Sequence, residues 1–444
     1  MSAPTPPSDD LPAPVERVYA LLVDADETLS ETLPDGVAEA VPGNAVKQVV
    51  ALALQKAGDL LVDAKTVLTW LLAALGAPAA ITALLVPVRE SGSMLPQAWL
   101  APYARSQPIR KWLWVAGALG QAAAVALMVV VTVTLEAAAA GWAILGALAL
   151  FALARSLSSL ASKDVLGRTI PKGARGQVTG AATIASGAVA ITVGVALRLF
   201  GGEDASPGTF ALLLGAAALA WVVAGMVFAR VVEPPGEHDD EPRGSPLRDA
   251  VGLLRDDRPF RRFVTARTLL LVSALAPPFV VTLATREGDA GLAGLGPFVI
   301  SSGLAALLGG RTWGRLADRS SRRTMTLAAA AASVVVLAFL VLLQVPGLRE
   351  LTWLYPATYL LLALAHTGVR VGRKTYVTDL AEGNQRTDYV AVSNTAMGAL
   401  LLVTGAVSSA VALLGPEAAL VFLAVLGLLG VAVSRSLPEV SVGG

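Results

Sequence analysis

The stretch Gly314-Arg315-Leu316-Ala317-Asp318-Arg319-Ser320-Ser321-Arg322-Arg323 lies between two long apolar segments, residues 294–313 and 324–346. Four of its ten residues are arginines. Positively charged residues resist transfer across a lipid bilayer and keep short loops on the cytoplasmic side. The stretch therefore predicts a tight hairpin between two membrane-spanning helices, with its turn in the cytoplasm.

The composition of the whole chain is that of a membrane protein. Of the 444 residues, 55% are hydrophobic and 15% are charged, and the mean hydropathy is +0.65. Soluble chains carry about 25% charged residues, whereas apolar runs of about 20 residues can cross a bilayer. The net charge of +1 does not favour a nucleic-acid partner. Because there is no cysteine, disulfides and thiolate metal sites are excluded.

We expect an all-α membrane protein with twelve transmembrane helices in two sets of six. The first six-helix bundle covers residues 45–232 and the second covers 261–437, with a tail at 438–444. The predicted spans are residues 46–74, 78–104, 110–135, 139–161, 177–200, 208–232, 262–285, 291–313, 322–345, 351–370, 387–413 and 416–436.

Two polar segments flank the first bundle. Residues 1–44 form an acidic extension with one basic residue, Arg17, and the apolar residues from Val15 to Leu22 follow the spacing of a short amphipathic helix. Residues 233–260 form a charged, proline-rich linker. Within it, Ser245-Pro246 favours the start of a short helix over 247–257.

The distribution of Lys and Arg predicts the orientation. The four short loops on one side of the predicted spans carry fifteen Lys and Arg residues, whereas the other side offers mainly Arg198, Arg286 and Arg349. By the positive-inside rule, both termini and the linker are expected in the cytoplasm of a bacterium, with the helices in its inner membrane.

The spacing Gly-x-x-x-Asp-Arg-x-x-Arg-Arg in residues 314–323 resembles the loop signature of the major facilitator superfamily (MFS) of transporters. The resemblance covers about residues 46–436, and residues 88–97 and 167–172 look like those of uncharacterised bacterial permeases of this superfamily. It implies two parallel six-helix halves and secondary transport. It also implies a cytoplasmic gate in which the Asp meets a helix end and the Arg residues pair across the bundle. That role falls on Gly314, Asp318, Arg319, Arg322 and Arg323; the alternative is that these arginines serve topology alone.

The first half departs from this signature. At an offset of 212 residues, Arg110-Lys111 aligns with Arg322-Arg323, but Ser106 and Gln107 replace the Asp-Arg pair. Arg155 resembles the buried arginine of many proton-coupled members, without the Gln-Gly that normally follows it. The fifth span carries glycines at 180, 187 and 194 and lacks the Gly-Pro pair associated with antiporters.

Charged residues inside predicted spans are costly and are therefore candidates for function. Lys56, Asp59 and Asp63 fall within an arc of about 60° on a helix, at about 100° per residue, so one face of the first span is charged. Matched depth in the membrane predicts an Asp63–Arg89 pair, with Glu90 nearby, and an Asp59–Arg155 pair. These are either static ion pairs or a proton-coupling site, for which Asp59 is the first choice and Glu90 the second.

Two further features lie in the second half, which is otherwise poor in membrane charge. His366 stands alone in the tenth span, and we expect a hydrogen-bonded helix contact rather than a proton carrier. Pro277-Pro278 should break or bend the seventh span, because the second proline lacks an N–H and disfavours helix before it.

The sequence therefore predicts a secondary active transporter that moves a small solute by alternating access and is coupled to protons. A lipid or lysolipid flippase on the same fold, and a non-transporting assembly or sensor factor, remain as alternatives. The lack of a nucleotide-binding loop and of clustered metal ligands disfavours an ATP-driven pump and a membrane enzyme. We expect no cofactor, no metal and no nucleic-acid partner. The expected partners are membrane lipids, a proton and an unidentified solute or lipid, with the protein as a monomer.

Overall fold

A computed structural model describes residues 14–22, 38–171, 175–200, 206–235, 252–287, 291–380 and 385–440. Within these ranges the chain is helical and has no β-strand, so the all-α prediction is confirmed. The helix predicted over 247–257 lies partly outside the described residues; residues 252–256 are helical.

The helices fall into two sets along the chain. The N-terminal set comprises α1 (Pro14–Leu22), α2 (Val41–Leu61), α3 (Val67–Ala74), α4 (Ala79–Thr82), α5 (Leu85–Met94), α6 (Gln97–Ser106), α7 (Lys111–Thr134), α8 (Ala137–Thr169), α9 (Arg175–Phe200) and α10 (Pro207–Ala229). The C-terminal set comprises α11 (Arg258–Leu269), α12 (Val272–Leu275), α13 (Pro277–Glu287), α14 (Leu292–Arg319), α15 (Ser321–Leu342), α16 (Leu354–Leu380), α17 (Gln385–Val411), a 3-10 turn (Ala412–Leu414) and α18 (Pro416–Arg435).

Eight helical stretches of the described chain are long and apolar enough to cross a membrane. They are Lys111–Thr134, Ala137–Thr169, Gly180–Leu199, Pro207–Ala229, Arg258–Glu287, Ser321–Leu342, Val392–Leu414 and Pro416–Arg435. The predicted spans at 46–74 and 78–104 are not among them; each is divided into shorter helices, and α2 carries Lys47, Lys56 and Asp59. The span at 291–313 has a shorter apolar part, Ala293–Gly309, and α16 carries charged residues from Arg370 onward.

The first predicted span is interrupted at residues 62–66, between α2 and α3. Asp63 stabilises the interruption, because its Oδ1 accepts hydrogen bonds from the backbone N–H of Lys65 at 2.8 Å and of Thr66 at 3.1 Å. Asp side chains commonly satisfy the free N–H groups at the start of a helix in this way. Asp63 therefore does not continue the charged face of α2, and the continuous helix assumed from the sequence is wrong at this point.

The seventh predicted span is also discontinuous. α11 ends at Leu269, the single turn α12 follows, and Pro277 begins α13. The break predicted at Pro277-Pro278 is confirmed, and its cause is the missing N–H and the fixed φ of proline, which suit the first turn of a helix but not its interior.

The 314–323 stretch is helical on both sides of one residue. α14 continues to Arg319, Ser320 is the only residue outside a helix, and α15 begins at Ser321. The Ser320 Oγ caps α15 by accepting a hydrogen bond from the N–H of Arg323 at 3.1 Å. We call the end of the molecule that holds this turn and Arg110 the basic end, and the other end the opposite end.

The third predicted span, α7, is capped by a residue from the predicted linker. The buried carboxylate of Glu233 accepts hydrogen bonds from the N–H groups of Arg110 at 3.0 Å and Lys111 at 2.7 Å, at the start of α7. Arg110 also pairs with Asp164 of α8 at 2.6 Å. The basic residues of this end therefore hold α7, α8 and the segment after α10 together.

The amphipathic helix predicted in the N-terminal extension is present as α1. It packs against α2 and α9, and Tyr19 lies over an apolar cluster formed by Ala45, Val49, Ile170 and Val178. Its position at the basic end follows from these neighbours.

The two sets are in tight contact at the opposite end. Glycines of α9 and α14 allow this, because a Cβ on Gly194 would lie 2.7 Å from Cγ1 and 2.9 Å from the backbone N of Ile300. The side chains of Trp70 in α3 and Phe298 in α14 also meet there, with ring centroids 5.7 Å apart. Close approach of helix backbones through small residues is the usual means of helix association in membranes.

The contact between α9 and α14 loosens toward the basic end. Gly180, Gly187 and Gly194 lie on one face of α9, because seven residues are close to two turns. A Cβ on Gly187 would lie 3.0 Å from the Leu307 side chain, and a Cβ on Gly180 would have no atom of the described residues within 4 Å. The main contacts of α2 lie in α9 and α10 of its own set. Among the described residues, the two sets are therefore packed most tightly at the opposite end and less tightly toward the basic end.

Candidate functional site

Charged side chains from both sets of helices meet near the middle of the molecule. We call this group the central charged cluster. Its members are Lys56, Asp59, Asp63, Lys65, Arg89, Glu90 and Arg155 from the N-terminal set, and His366, Arg370 and Arg373 from the C-terminal set. All but Arg370, which is exposed, are partly exposed. Charged groups within membrane-spanning helices are expected to face an aqueous cavity rather than lipid.

Asp59 is the centre of an ion-pair network on the N-terminal side. Its Oδ1 lies 3.0 Å from Nη2 of Arg89, and its Oδ2 lies 2.8 Å from Nη2 of Arg155. The predicted Asp59–Arg155 pair is confirmed. The predicted Asp63–Arg89 pair is wrong, because Arg89 binds Asp59 and the Asp63 carboxylate accepts hydrogen bonds within the turn before α3. One carboxylate thus joins the helices α2, α5 and α8.

The interruption of the first span also holds Arg89. Since residues 62–66 leave the regular helix, the carbonyl of Val62 is free to accept a hydrogen bond from Nη1 of Arg89 at 2.5 Å. The guanidinium also lies over the ring of Phe151, 5.2 Å from its centroid, which is within the range of a cation–π interaction. Arg89 is therefore fixed by a carboxylate, a carbonyl and an aromatic ring.

Arg155 is less completely satisfied. Its Nη2 binds Asp59, whereas its Nη1 is buried and has no hydrogen-bond partner among the described residues. Unpaired buried donors are uncommon and costly, so each calls for a structural or functional explanation.

The other predicted residues of the N-terminal set are placed as follows. Lys56 donates a hydrogen bond to Thr183 of α9, on the same side of the molecule as Asp59. Glu90 lies on α5 within electrostatic reach of Lys65 and of Arg373 in the C-terminal set. Lys65, which did not fit the charged face of a continuous helix, lies in the interruption at 62–66.

His366 forms the helix contact expected from the sequence. Its Nδ1 lies 3.3 Å from Oγ of Ser273 in α12, a hydrogen bond in which either group can be the donor. His366 also shares one face of α16 with Tyr359, Arg370 and Arg373, within an arc of about 60°.

Three cations of the C-terminal set were not recognised from the sequence as interior residues. Arg370 and Arg373 were assigned to a loop, but α16 continues to Leu380 and both lie within it. Arg267 of α11 is buried and binds the side chains of Ser393 and Asn394 of α17, the latter at 3.2 Å. Arg370 and Arg373 could have been recognised as interior residues from the sequence, because they share one face of α16 with Tyr359 and His366. The prediction that the second half carries little interior charge is therefore wrong.

The described residues of the predicted gate differ in their contacts and exposure. Arg322 binds Glu439 at 3.4 Å and the carbonyl of Leu437 at 2.9 Å, both just after α18 in its own set. Its partner is thus not across the bundle, unlike the role implied by the family. Arg319 and Arg323 are exposed. The surroundings of Gly314 and the side chain of Asp318 lie outside the described part of the structure.

No metal-binding group of three or more His, Cys, Asp or Glu side chains is found among the described residues. The arrangement suits reversible ion pairing: charges of both signs, partly exposed, at the contact between two sets of helices. Movement of one set against the other would change which of these groups face each other.

Comparison with solved structures identifies the fold. The chain resembles a POT family transporter solved in complex with a thioalcohol-conjugated peptide, with a TM-score of 0.69, 10% identity, and coverage of 92% of this chain and 98% of that one. It resembles a D-xylose–proton symporter with a TM-score of 0.67, 12% identity, and coverage of 90% and 99%. The inward-open xylose transporter XylE from E. coli gives a TM-score of 0.63, 11% identity, and coverage of 89% and 96%.

The sequence itself supports the same assignment. Among proteins of curated function, none matches the chain significantly. The sequence model of the Major Facilitator Superfamily matches residues 64–369, more than half of the chain. The chain is a multi-pass membrane protein that belongs to the Major Facilitator Superfamily.

Proposed function

We propose that this protein is a proton-coupled secondary active transporter that moves a small solute by alternating access. The observation that carries the proposal is a charged cluster at the contact between two sets of helices that pack most tightly at the opposite end. A site that is open to one side and closed to the other is the starting state of a transport cycle in which the two sets rock around it.

The topology that we propose has twelve crossings in two six-helix bundles, 45–232 and 261–437, joined by the linker 233–260. Each of the interrupted segments α2–α3, α4–α6 and α11–α13 counts as one crossing. The other nine crossings are the single helices α7, α8, α9, α10, α14, α15, α16, α17 and α18. The basic end faces the cytoplasm of a bacterium, as the Lys and Arg distribution favours, and the termini and linker lie on that side. In this orientation the described state is open to the cytoplasm.

Asp59 is the proposed proton carrier. Both of its oxygens bind arginines, and Lys56 is a further cation within electrostatic reach. Among the described residues, Asp59 is the only carboxylate that binds Arg89 and Arg155. Protonation would neutralise its charge and would free both arginines to move or to bind solute. This exchange of partners can couple proton uptake to a change in the contacts between α2, α5 and α8.

The gate residues 314–323 act in the other state of the proposed cycle. Arg319 and Arg323 are exposed while the basic end is open, so they are available to pair across the bundle when that end closes. Arg322 remains tied to the segment after α18 and contributes to the stability of its own set.

The proposal is tested with purified protein in liposomes that contain a deproteinised extract of bacterial small molecules. After dilution, the compounds that leave faster than from protein-free liposomes are measured by mass spectrometry, with and without an imposed pH gradient. We expect a small group of chemically related solutes whose efflux responds to the gradient. If no compound leaves faster than from protein-free liposomes, secondary transport of a cellular solute is contradicted.

A further inference from the structure

The charges of the central charged cluster are not balanced. Among the described residues, it contains the six cations Lys56, Lys65, Arg89, Arg155, Arg370 and Arg373 against the three carboxylates Asp59, Asp63 and Glu90. Isolated charges removed from water are strongly unfavourable, and proteins normally pair them. These groups keep part of their contact with water, and the excess of cations gives the site a positive potential that favours the binding of an anion.

The carboxylates are also poorly placed to neutralise the cations of α16. Asp59 is occupied by Arg89 and Arg155, and Asp63 by the N–H groups of Lys65 and Thr66 in the turn before α3. Among the described residues, no carboxylate forms an ion pair with Lys65, Arg370 or Arg373. Glu90 alone lies within electrostatic reach of both Lys65 and Arg373.

The unpaired cations converge from two sides. Arg370 and Arg373 share one face of α16, and both lie within electrostatic reach of the His366 ring, as does Lys65 from the interruption of the first span. Arg370 is exposed although it lies within a long interior helix. Lys65 belongs to the N-terminal set and the two arginines to the C-terminal set, so an anion between them would bind both sets at once.

We infer that the transported solute is a small anion whose carboxylate or phosphate group binds between Arg370, Arg373 and Lys65. Guanidinium groups match the planar oxygens of carboxylate and phosphate and form strong, charge-assisted hydrogen bonds with them. The unpaired Nη1 of Arg155 is a further donor for the same solute or for its second polar group. This assignment rests on the proposed transport function and adds the chemical class of the substrate to it.

The first test measures binding without transport. Protein in phosphatidylcholine nanodiscs is unfolded by heat at constant ionic strength, in the presence of phosphate, glutarate or the neutral isostere glutaramide. A ligand that binds only the folded protein raises its apparent stability. We expect stabilisation by phosphate, glutarate or both, and none by glutaramide.

The matched variants locate the effect. In the double variant Arg370→Gln, Arg373→Gln we expect the apparent affinity for the stabilising anion to fall by about tenfold or more, because both charge pairs on the α16 side of the ligand are removed. The control Arg230→Gln removes an exposed arginine after α10, far from the cluster, and should keep the wild-type response. Equal stabilisation by glutarate and glutaramide, or an unchanged response in the double variant, would overturn the assignment.

An anionic lipid headgroup could supply the same chemistry. Repeating the measurement in phosphatidylglycerol nanodiscs separates the two sources. If phosphatidylglycerol stabilises the wild type but not the double variant, and the soluble anions have no effect, the ligand is a lipid and the small-solute assignment is wrong.

The liposome efflux experiment separates this inference from the proposed function. Efflux enriched in small anions supports both. Efflux restricted to neutral or cationic compounds would contradict the assignment of an anionic solute and would support the proposed transport function. If there is no efflux but anions still bind through Arg370 and Arg373, the transport proposal fails and the anion site remains.

Discussion

The variant Asp59→Asn is expected to lose proton-driven accumulation of solute while it keeps solute exchange across the membrane. Asn preserves the size of the side chain but cannot take up a proton. With one proton per solute, a gradient of one pH unit supplies about 1.4 kcal/mol and supports about tenfold accumulation. We expect the wild type to approach this ratio in liposomes and the variant to stop at equal concentrations inside and outside.

Stability has to be separated from coupling in this experiment. Removing one partner of a buried ion pair costs about 3–5 kcal/mol, because the other charge is left uncompensated, and here two arginines are left. Asp59→Glu keeps the carboxylate and should retain coupling. Asp164→Asn is a matched control, since it removes the carboxylate of another Arg pair, that of Arg110 at the basic end. Full accumulation by a folded Asp59→Asn protein would show that the Asp59 network is a static support.

The variant Gly194→Leu is expected to open the opposite end. A leucine there would meet Ile300 and the backbone of α14, where even a Cβ lies 2.9 Å from the backbone N of Ile300. Overpacking of this kind costs about 1–3 kcal/mol in the state that contains the contact. Such a difference changes the ratio of two states by about 5- to 150-fold. The ratio of the state closed at the opposite end to the state open there should fall by that factor, and the rate of solute exchange should fall with it.

Accessibility of one introduced cysteine measures this change. The chain has no cysteine of its own, and Ser409 of α17 contacts the Ala80 carbonyl of the other set at 2.6 Å. In Ser409→Cys protein, labelling by a water-soluble maleimide should be faster when Gly194→Leu is also present. Gly146→Leu is the control, because a Cβ at that position meets no atom within 4 Å and the residue is exposed. An unchanged labelling rate with Gly194→Leu would contradict the close contact of α9 and α14.

Much of the fold could be predicted from hydrophobic length and basic residues. The apolar runs gave the helical class, and the 314–323 stretch together with the paired prolines located a helix turn and a helix break correctly. The interruption at 62–66 could not be foreseen, because Val62, Ala64 and Val67 continue an apolar pattern and the hydrogen bonds of Asp63 within the turn depend on local backbone geometry. This one break accounts for the wrong partner of Arg89.

Only the residues that the N-terminal set contributes to the candidate site were predicted. Asp59, Arg89 and Arg155 were recognisable because a charge in an apolar run is conspicuous. Arg370 and Arg373 were taken for loop residues, since cations near the end of a run are usually topological signals. The role of Glu233 was also hidden, because the groups that it binds are backbone N–H groups 122 and 123 residues away in sequence. Contacts of this range require the folded chain.

The central claim is that the two sets of helices open alternately at the two ends. It is tested most directly by distances between spin labels in the cysteine-free chain. One pair, Glu136→Cys with Glu350→Cys, reports on the opposite end, and a second pair, Ser106→Cys with Asp256→Cys, reports on the basic end; all four positions are exposed. Relative to the wild type, Gly194→Leu should lengthen the first distance and shorten the second, and Gly180→Leu should not. Distances that stay unchanged in Gly194→Leu, or that lengthen together at both ends, would contradict alternating access.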